Sequence, residues 1–283
     1  MAFDINHPDV LNAVRRALDE DIGSGDITTN LTVPADRQAQ GAYFAREEMT
    51  VAGVELLHLI YAERGPVTDP VSTIDILIPS GGKAQPGDCL ARVAGPARVL
   101  LTCERVSLNF MQRLSGVATL AAQFVAQTEG TNCRVLDTRK TTPGLRVLEK
   151  MAAAAGGVTN HRMGLHDAIL IKNNHISACG GVRAALAAVS NQTIPAEIEV
   201  RTLEELDDAL DCGAKRLLLD NLTPDEARQW IARIAGRATT ELSGGITLET
   251  ARAYAQAGAD YLSAGAITHS ARAVDINFRL TLA

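Results

Sequence analysis

No stretch of about 18 uninterrupted apolar residues occurs in this sequence, so nothing in it reads as a membrane-spanning helix. The opening residues, MAFDINHPDV, lack a basic segment leading into an apolar one, which predicts a soluble, cytoplasmic protein. The five cysteines, Cys89, Cys103, Cys133, Cys179 and Cys212, are odd in number, widely dispersed and free of any C-x-x-C spacing. Neither a disulfide framework nor a zinc site is indicated, and buried thiols are expected. Basic charge is not in excess either. A net charge of -6 argues against nucleic acid or a membrane surface as a partner, because both attract a basic face. Any anionic ligand must therefore be held by a local cationic pocket.

What is there is an ordinary globular composition, 46% hydrophobic and 21% charged over 283 residues, enough for one large domain or two smaller ones. From about residue 130 onward one pattern recurs: a short apolar run, a polar or glycine residue at its end, then a helical segment. The runs are CRVLDT, DAILIK, AEIEV, RLLLDN, TTELSGG and DYLSAGA. Five of them end near Lys172, Glu199, Asp220, Ser243 and Gly265, roughly 21 to 27 residues apart, the length of one strand, one helix and two short loops. Thr202 with Glu205, and Thr223 with Pro224 and Glu226, supply helix starts. Gly213 and Gly258 fall where a helix end needs a left-handed residue. Repeated βα units predict a TIM-like α/β barrel of eight strands or fewer, with its chemistry at the C-terminal ends of the strands.

The first 112 residues read differently. A helix around PDVLNAVRRALDED leads into strand-like AQGAYFAR and MTVAGV, a helix at ELLHLIYAERG, and short strands within TIDILIPSGGKAQPGDCLARVAG. Residues 1–112 are thus an N-terminal α+β domain, 113–270 the barrel domain, and 271–283 a C-terminal segment. The apolar helix ARVLLTCERVSLNFMQRLSG connects the two and carries Arg105 and Arg113.

The residues at or just after the predicted strand ends sort by chemistry. Arg139, Lys140, His161, Arg162 and Lys172 come first, then the acids Glu199 and Asp220, then Ser243, Gly244, Gly245, Gly265 and His269. Taken alone, a strand-end lysine, a lone histidine or an SGG turn is ordinary. Together, the cations suit a substrate with several carboxylates or phosphates. Glu199 and Asp220 suit magnesium bound through carboxylates, water and substrate phosphates. The glycine segments can hold a phosphate on backbone N–H groups. The expected ligands are a phosphorylated, magnesium-bound molecule and a small polycarboxylate.

At the level of long motifs the sequence resembles the quinolinate phosphoribosyltransferase family. ALDEDIGSGDITT, AREEMTVAG, GPARVLLTCERVSLNFMQRLSGVAT, DTRKTTPGLRVLEKMA, GGVTNHRMGLHDAILIKNNHI, EIEVRTLEELDDAL, LLLDN and SAGAITHS stand in the family's order nearly end to end. The resemblance implies that quinolinate and phosphoribosyl pyrophosphate, with Mg2+, give nicotinate mononucleotide, pyrophosphate and carbon dioxide, a step of de novo NAD biosynthesis. It implies a sandwich-like N-terminal domain beside the barrel, to which the C-terminal segment returns. A homodimer with shared active sites, or a higher assembly, is also implied.

By the same resemblance, Arg105 from the partner subunit joins Arg139, His161, Arg162 and Lys172 on the two carboxylates, and Lys140 bridges the base and phosphoribosyl sites. Glu199 and Asp220 serve magnesium and ribose, with Ser243, Gly244, Gly245, Gly265 and His269 around the phosphate. The expected catalytic residues are Lys140, Lys172, Glu199 and Asp220, with either lysine available to protonate the ring carbon after decarboxylation. Asn173 departs from the family, which often carries an acid there. The alternatives are a related phosphoribosyltransferase acting on another base, and a non-catalytic pyridine-nucleotide-binding protein.

Overall fold

The computed structural model describes residues 3–64, 71 and 73–282. Gly65, which ends one predicted helix, and Ala283, the last residue of the C-terminal segment, lie outside the described residues, as do Met1 and Ala2 of the opening stretch. Two compact units emerge. One comprises Met1–Ala122, Thr141–Gly157 and Ile267–Ala283, the other Gln123–Lys140 and Val158–Ala266. The sequence reading places its boundary between residues 112 and 113, whereas the compact units interleave along the chain.

The first unit begins with α1 (Pro8–Ile22), started by Pro8 and the His7 side chain, and α2 (Ile27–Thr32), capped by Asp26 accepting from the Thr29 N–H. Strands β1 (Gln38–Ala45), β3 (Thr73–Ile76), β5 (Cys89–Pro96) and β12 (Ile276–Leu282) form an antiparallel sheet in the order β12-β1-β5-β3. The MTVAGV segment yields only the two-residue β2 (Met49–Thr50), paired with β4 (Lys83–Ala84). Helices α3 (Leu56–Arg64) and α4 (Ala97–Gln127) follow the predicted positions, α4 running well past its expected end.

Polar groups buried in this unit are well served. Tyr43 Oη lies 2.7 Å from both Tyr61 Oη and Ser107 Oγ. Glu149, on α5 (Arg146–Ala155), is fully buried and accepts from Arg113 Nη2 at 2.7 Å, from Thr142 Oγ1 at 2.7 Å and from the Thr142 N–H at 2.9 Å. Arg113 also donates to the carbonyls of Thr268 and Ala271, both at 2.5 Å.

The second unit carries a six-stranded, all-parallel sheet in the order β6-β11-β10-β9-β8-β7. Its strands are β6 (Arg134–Leu136), β7 (Ile169–Ile171), β8 (Ala196–Val200), β9 (Arg216–Asp220), β10 (Thr239–Ser243) and β11 (Tyr261–Ser263), one for each recurring apolar run. Helices α6 (Asn173–Cys179) and α7 (Val182–Val189) separate β7 from β8, and α8 (Leu203–Asp211), α9 (Pro224–Ile234) and α10 (Leu248–Ala255) fill the following gaps. The short α11 (Ala266–His269) follows β11.

Thr223 and Glu226 form the reciprocal cap expected of them. At α8 only half of that motif forms: Thr202 accepts from the Glu205 N–H, but Glu205 turns to the Arg201 N–H at 2.7 Å. Cys103 and Cys133 are buried as expected, whereas Cys179 and Cys212 are exposed because each sits at the end of a surface helix.

Candidate active site

Parallel strands buried on both faces normally read as continuous apolar runs. Two of these strands break that rule with three buried acids: Glu197 and Glu199 on β8 and Glu241 on β10. Side chains alternate across a strand, so Glu197 and Glu199 share one face. Glu199 is in register with Leu218, and Asp220 stands two residues further along β9, hence also on that face. Glu199 is buried and Asp220 half-buried, a pair of hard oxygen donors on neighbouring strands.

Asn221, not anticipated from the sequence, organises the end of β9. Its backbone has φ +60, a left-handed conformation that asparagine tolerates, and its N–H donates to the Ser243 carbonyl at 2.9 Å. Its side-chain amide donates to Asp220 Oδ2 at 2.7 Å. Gly244, at φ +95, lies so close to the Asn221 amide that any Cβ would collide with it. Gly245, at φ +62, would meet nothing within 4 Å. A glycine turn with open space beside it follows β10, as a phosphate-binding backbone requires.

The cations come from two segments. Arg139 and Lys140 follow β6, half-buried and exposed, and His161 and Arg162 lie on the segment before β7. Asp137, fully buried, joins the two: its Oδ1 accepts the His161 N–H at 2.8 Å and its Oδ2 accepts from Asn160 Nδ2 at 2.6 Å. Burial, and then the like charge of Arg139, lower the pKa of the Arg162 guanidinium below its ordinary value, with Asp167 and Glu197 opposing. The two guanidiniums are thus near enough for each to feel the other's charge. Lys172 is exposed just after β7, its N–H donating to His175 Nδ1 at 2.9 Å.

His161 sits between the acids. Its Nε2 is 3.3 Å from Glu241 Oε2 and 3.5 Å from Glu197 Oε2, and its Nδ1 faces the Arg162 N–H at 2.7 Å. Burial disfavours a charged imidazole, but the two carboxylates outweigh it and push the pKa up to about 9. Among the described residues this trio is also the one group of three acid, histidine or cysteine side chains placed to hold a metal ion.

Gly265 follows β11, two residues past its end, in this unit. Arg105, exposed on α4, and His269, exposed with Nδ1 2.6 Å from Ser270 Oγ, belong to the first unit. Alternation could have exposed Glu197 and Glu241 in the sequence, each two residues before an expected strand-end group. Nothing local marks Asp137 as their counterpart on the other side of His161.

An α/β enzyme built to handle multiply anionic substrates is what these strand ends define. Residues 26–115 match the family model for the quinolinate phosphoribosyl transferase N-terminal domain, and residues 117–279 match that for its C-terminal domain. The chain belongs to the quinolinate phosphoribosyltransferase family.

It is 42% identical over 280 residues to a Mycobacterium leprae protein named nicotinate-nucleotide pyrophosphorylase, covering 95% of this chain and 96% of that one. It is 38% identical over 298 residues to the Nicotiana tabacum protein named quinolinate phosphoribosyltransferase 2b, mitochondrial, covering 97% and 83%. The crystal structure of NadC from Streptococcus pyogenes superposes with a TM-score of 0.93 at 36% identity, over 100% of both chains. Among the described residues no helix is long and apolar enough to cross a membrane.

Proposed function

We propose that the protein transfers the phosphoribosyl group of phosphoribosyl pyrophosphate to quinolinate with decarboxylation, giving nicotinate mononucleotide, pyrophosphate and carbon dioxide. The observation that carries this reading is the gathering of Arg139, Lys140, Arg162 and Lys172 at the ends of β6 and β7 and on the segment between them, in a chain that matches both family models. A guanidinium pair suits two carboxylates on one small ring, and lysines beside it add the positive charge that a polyanion needs. Lys172 and Arg105 of a second subunit complete that pocket in the proposed homodimer, which the exposure of Arg105 supports. The six parallel strands close as a barrel in this reading.

In the reaction, the pyridine nitrogen bonds to ribose C1 as the bond from C1 to the pyrophosphate oxygen breaks. Positive charge develops on the sugar, where Glu199 and Asp220 stabilise it. Their pairing on one sheet face fits a magnesium site completed by substrate phosphates and water. When bound, Mg2+ would neutralise charge on the departing pyrophosphate. The N–H groups of Gly244 and Gly245 hold the 5'-phosphate, with Ser243 and Gly265 around it. Once the nitrogen is alkylated, the ring accepts the electron pair from the bond to the 2-carboxylate as carbon dioxide leaves. Lys140 or Lys172 then supplies a proton to that carbon.

Quinolinate supplied with phosphoribosyl pyrophosphate and Mg2+ should give nicotinate mononucleotide and carbon dioxide in equal amounts. Faster consumption of nicotinate, with no carbon dioxide, would assign the protein to another base. Nicotinate lacks the 2-carboxylate and would leave buried donors unpaired, so strong discrimination against it is expected.

A further inference from the structure

We propose that Asn221 is a positioning residue for the phosphoribosyl half of the reaction. It holds one oxygen of Asp220, leaving the other for the ribose and magnesium, and it couples that acid to the glycine turn after β10. This rests on the phosphoribosyl transfer proposed above and concerns the sugar and its phosphate rather than the base.

The backbone gives the first argument. Among the described residues two that are not glycine have a positive φ, Ala235 and Asn221. Ala235 caps the C-terminus of α9, where a left-handed residue is ordinary. Asn221 instead follows a parallel strand, directly after Asp220, and such a conformation persists only where its surroundings hold it. They hold it on both sides. Its N–H reaches the Ser243 carbonyl, extending the ladder in which Ser243 stands opposite Asp220. The next residue is fixed in turn, because the Tyr254 hydroxyl on α10 donates to the Leu222 carbonyl at 2.8 Å.

The side chain gives the second. An ionised carboxylate only accepts, so the amide turns its NH2 to Asp220 Oδ2, at 2.7 Å, and its oxygen to Gly244. Among the described residues the Asp220 carboxylate has no other hydrogen-bond partner, which makes Oδ1 the oxygen left for a ligand. The amide also fills the space that a Cβ at Gly244 would need, while Gly245 beside it faces open space. One side chain thus touches both the acid proposed for the ribose and the turn proposed for its phosphate. A ribose 5-phosphate spans those two places, and their separation is set by Asn221.

Two substitutions separate this role from a purely structural one. Asn221→Gly accepts φ +60 without strain and removes only the amide, whereas Asn221→Asp keeps the shape and loses the donor. Asn221→Gly should raise KM for phosphoribosyl pyrophosphate about tenfold, the scale of a lost hydrogen bond to a charged group, and leave KM for quinolinate unchanged. Asn221→Asp should be worse, because it sets a like charge against Asp220. Asp220→Asn combined with Asn221→Gly should be no worse than Asp220→Asn alone, since the two residues act as one unit. An unchanged KM for phosphoribosyl pyrophosphate, equal rises in both KM values, or an Asn221→Asp protein milder than Asn221→Gly would overturn the proposal.

Binding of nicotinate mononucleotide, measured by calorimetry without metal or pyrophosphate, gives a readout free of turnover. It should weaken about tenfold in Asn221→Gly while quinolinate binding holds; equal weakening of both would count against the proposal. A structure of the unsubstituted protein with nicotinate mononucleotide does not depend on variants folding. It should show Asp220 Oδ1 at a ribose hydroxyl and Oδ2 still against the Asn221 amide. An amide swung away from Asp220 onto the ligand would overturn the positioning role. If the unsubstituted protein takes nicotinate instead of quinolinate, the base reading fails, and the ranking of the variants against phosphoribosyl pyrophosphate still decides the role of Asn221.

Discussion

Glu149 in the first unit and Glu241 in the second are both essentially inaccessible, at 0% and 1% exposure, yet their surroundings are opposite. Glu149 is surrounded by donors from Arg113 and Thr142, whereas Glu241 has a single histidine nitrogen at 3.3 Å. A saturated buried charge rigidifies a scaffold, and an undersupplied one does so only at a cost. The contrast separates the parts that hold this protein together from those proposed above to meet a ligand. Tyr43, Tyr61 and Ser107 fall on the first side, and Arg139 beside Arg162 on the second.

The sharpest way to break that contrast is to remove a cation from the second unit. Lys172→Ala should lower turnover by about 10²- to 10³-fold, as losing one transition-state donor does, while the melting temperature holds. Arg105→Ala should behave alike. Mixing the two variants under subunit exchange should restore part of the activity, because one of the two sites in a mixed dimer would then be intact. No recovery despite exchange would remove Arg105 from a shared site.

Glu149→Ala should do the reverse. It leaves Arg113 with only carbonyl partners and the Thr142 N–H unsatisfied, and the loss should be about 3 kcal/mol, the low end for a broken buried pair because Arg113 is 26% exposed. Denaturant unfolding would measure it. Glu241→Gln should cost far less stability, and equal losses at the two positions would erase the distinction.

The smallest effect belongs to the first unit's surface. Arg272, and then the Asp275 N–H, hold Glu47 below the ordinary carboxylate value. A lowered folded pKa means a contribution fully present above about pH 4.5, the ordinary carboxylate range, and lost as pH falls through the folded value. Glu47→Gln should therefore flatten the acid limb of the stability profile and leave its neutral region nearly unchanged.

Much of the second unit was legible because its order is local. Each strand is a short apolar run and each helix carries its own caps, so six strands could be read from about residue 130 onward. The Thr223 cap forms as read, and Thr202 forms half of its motif because Glu205 finds another amide one residue earlier. The first unit was harder. Its sheet is completed by β12, paired with β1 across more than two hundred residues, and MTVAGV has too few partners to remain a strand beyond Thr50. Likewise α5 follows β6 in the chain but belongs to the first unit, where Glu149 finds Arg113. No periodicity marks such an exchange.

The sequence by itself determined the alternation of strands and helices, the residues at the strand ends and the family, since all three are carried by local pattern and long contiguous motifs. Only the tertiary structure decided that His161 lies between two buried glutamates, that Asn221 packs on Gly244, and that the two units interleave along the chain. Those meetings join residues far apart in sequence. They depend on which side chains tertiary packing brings together, which no single segment encodes.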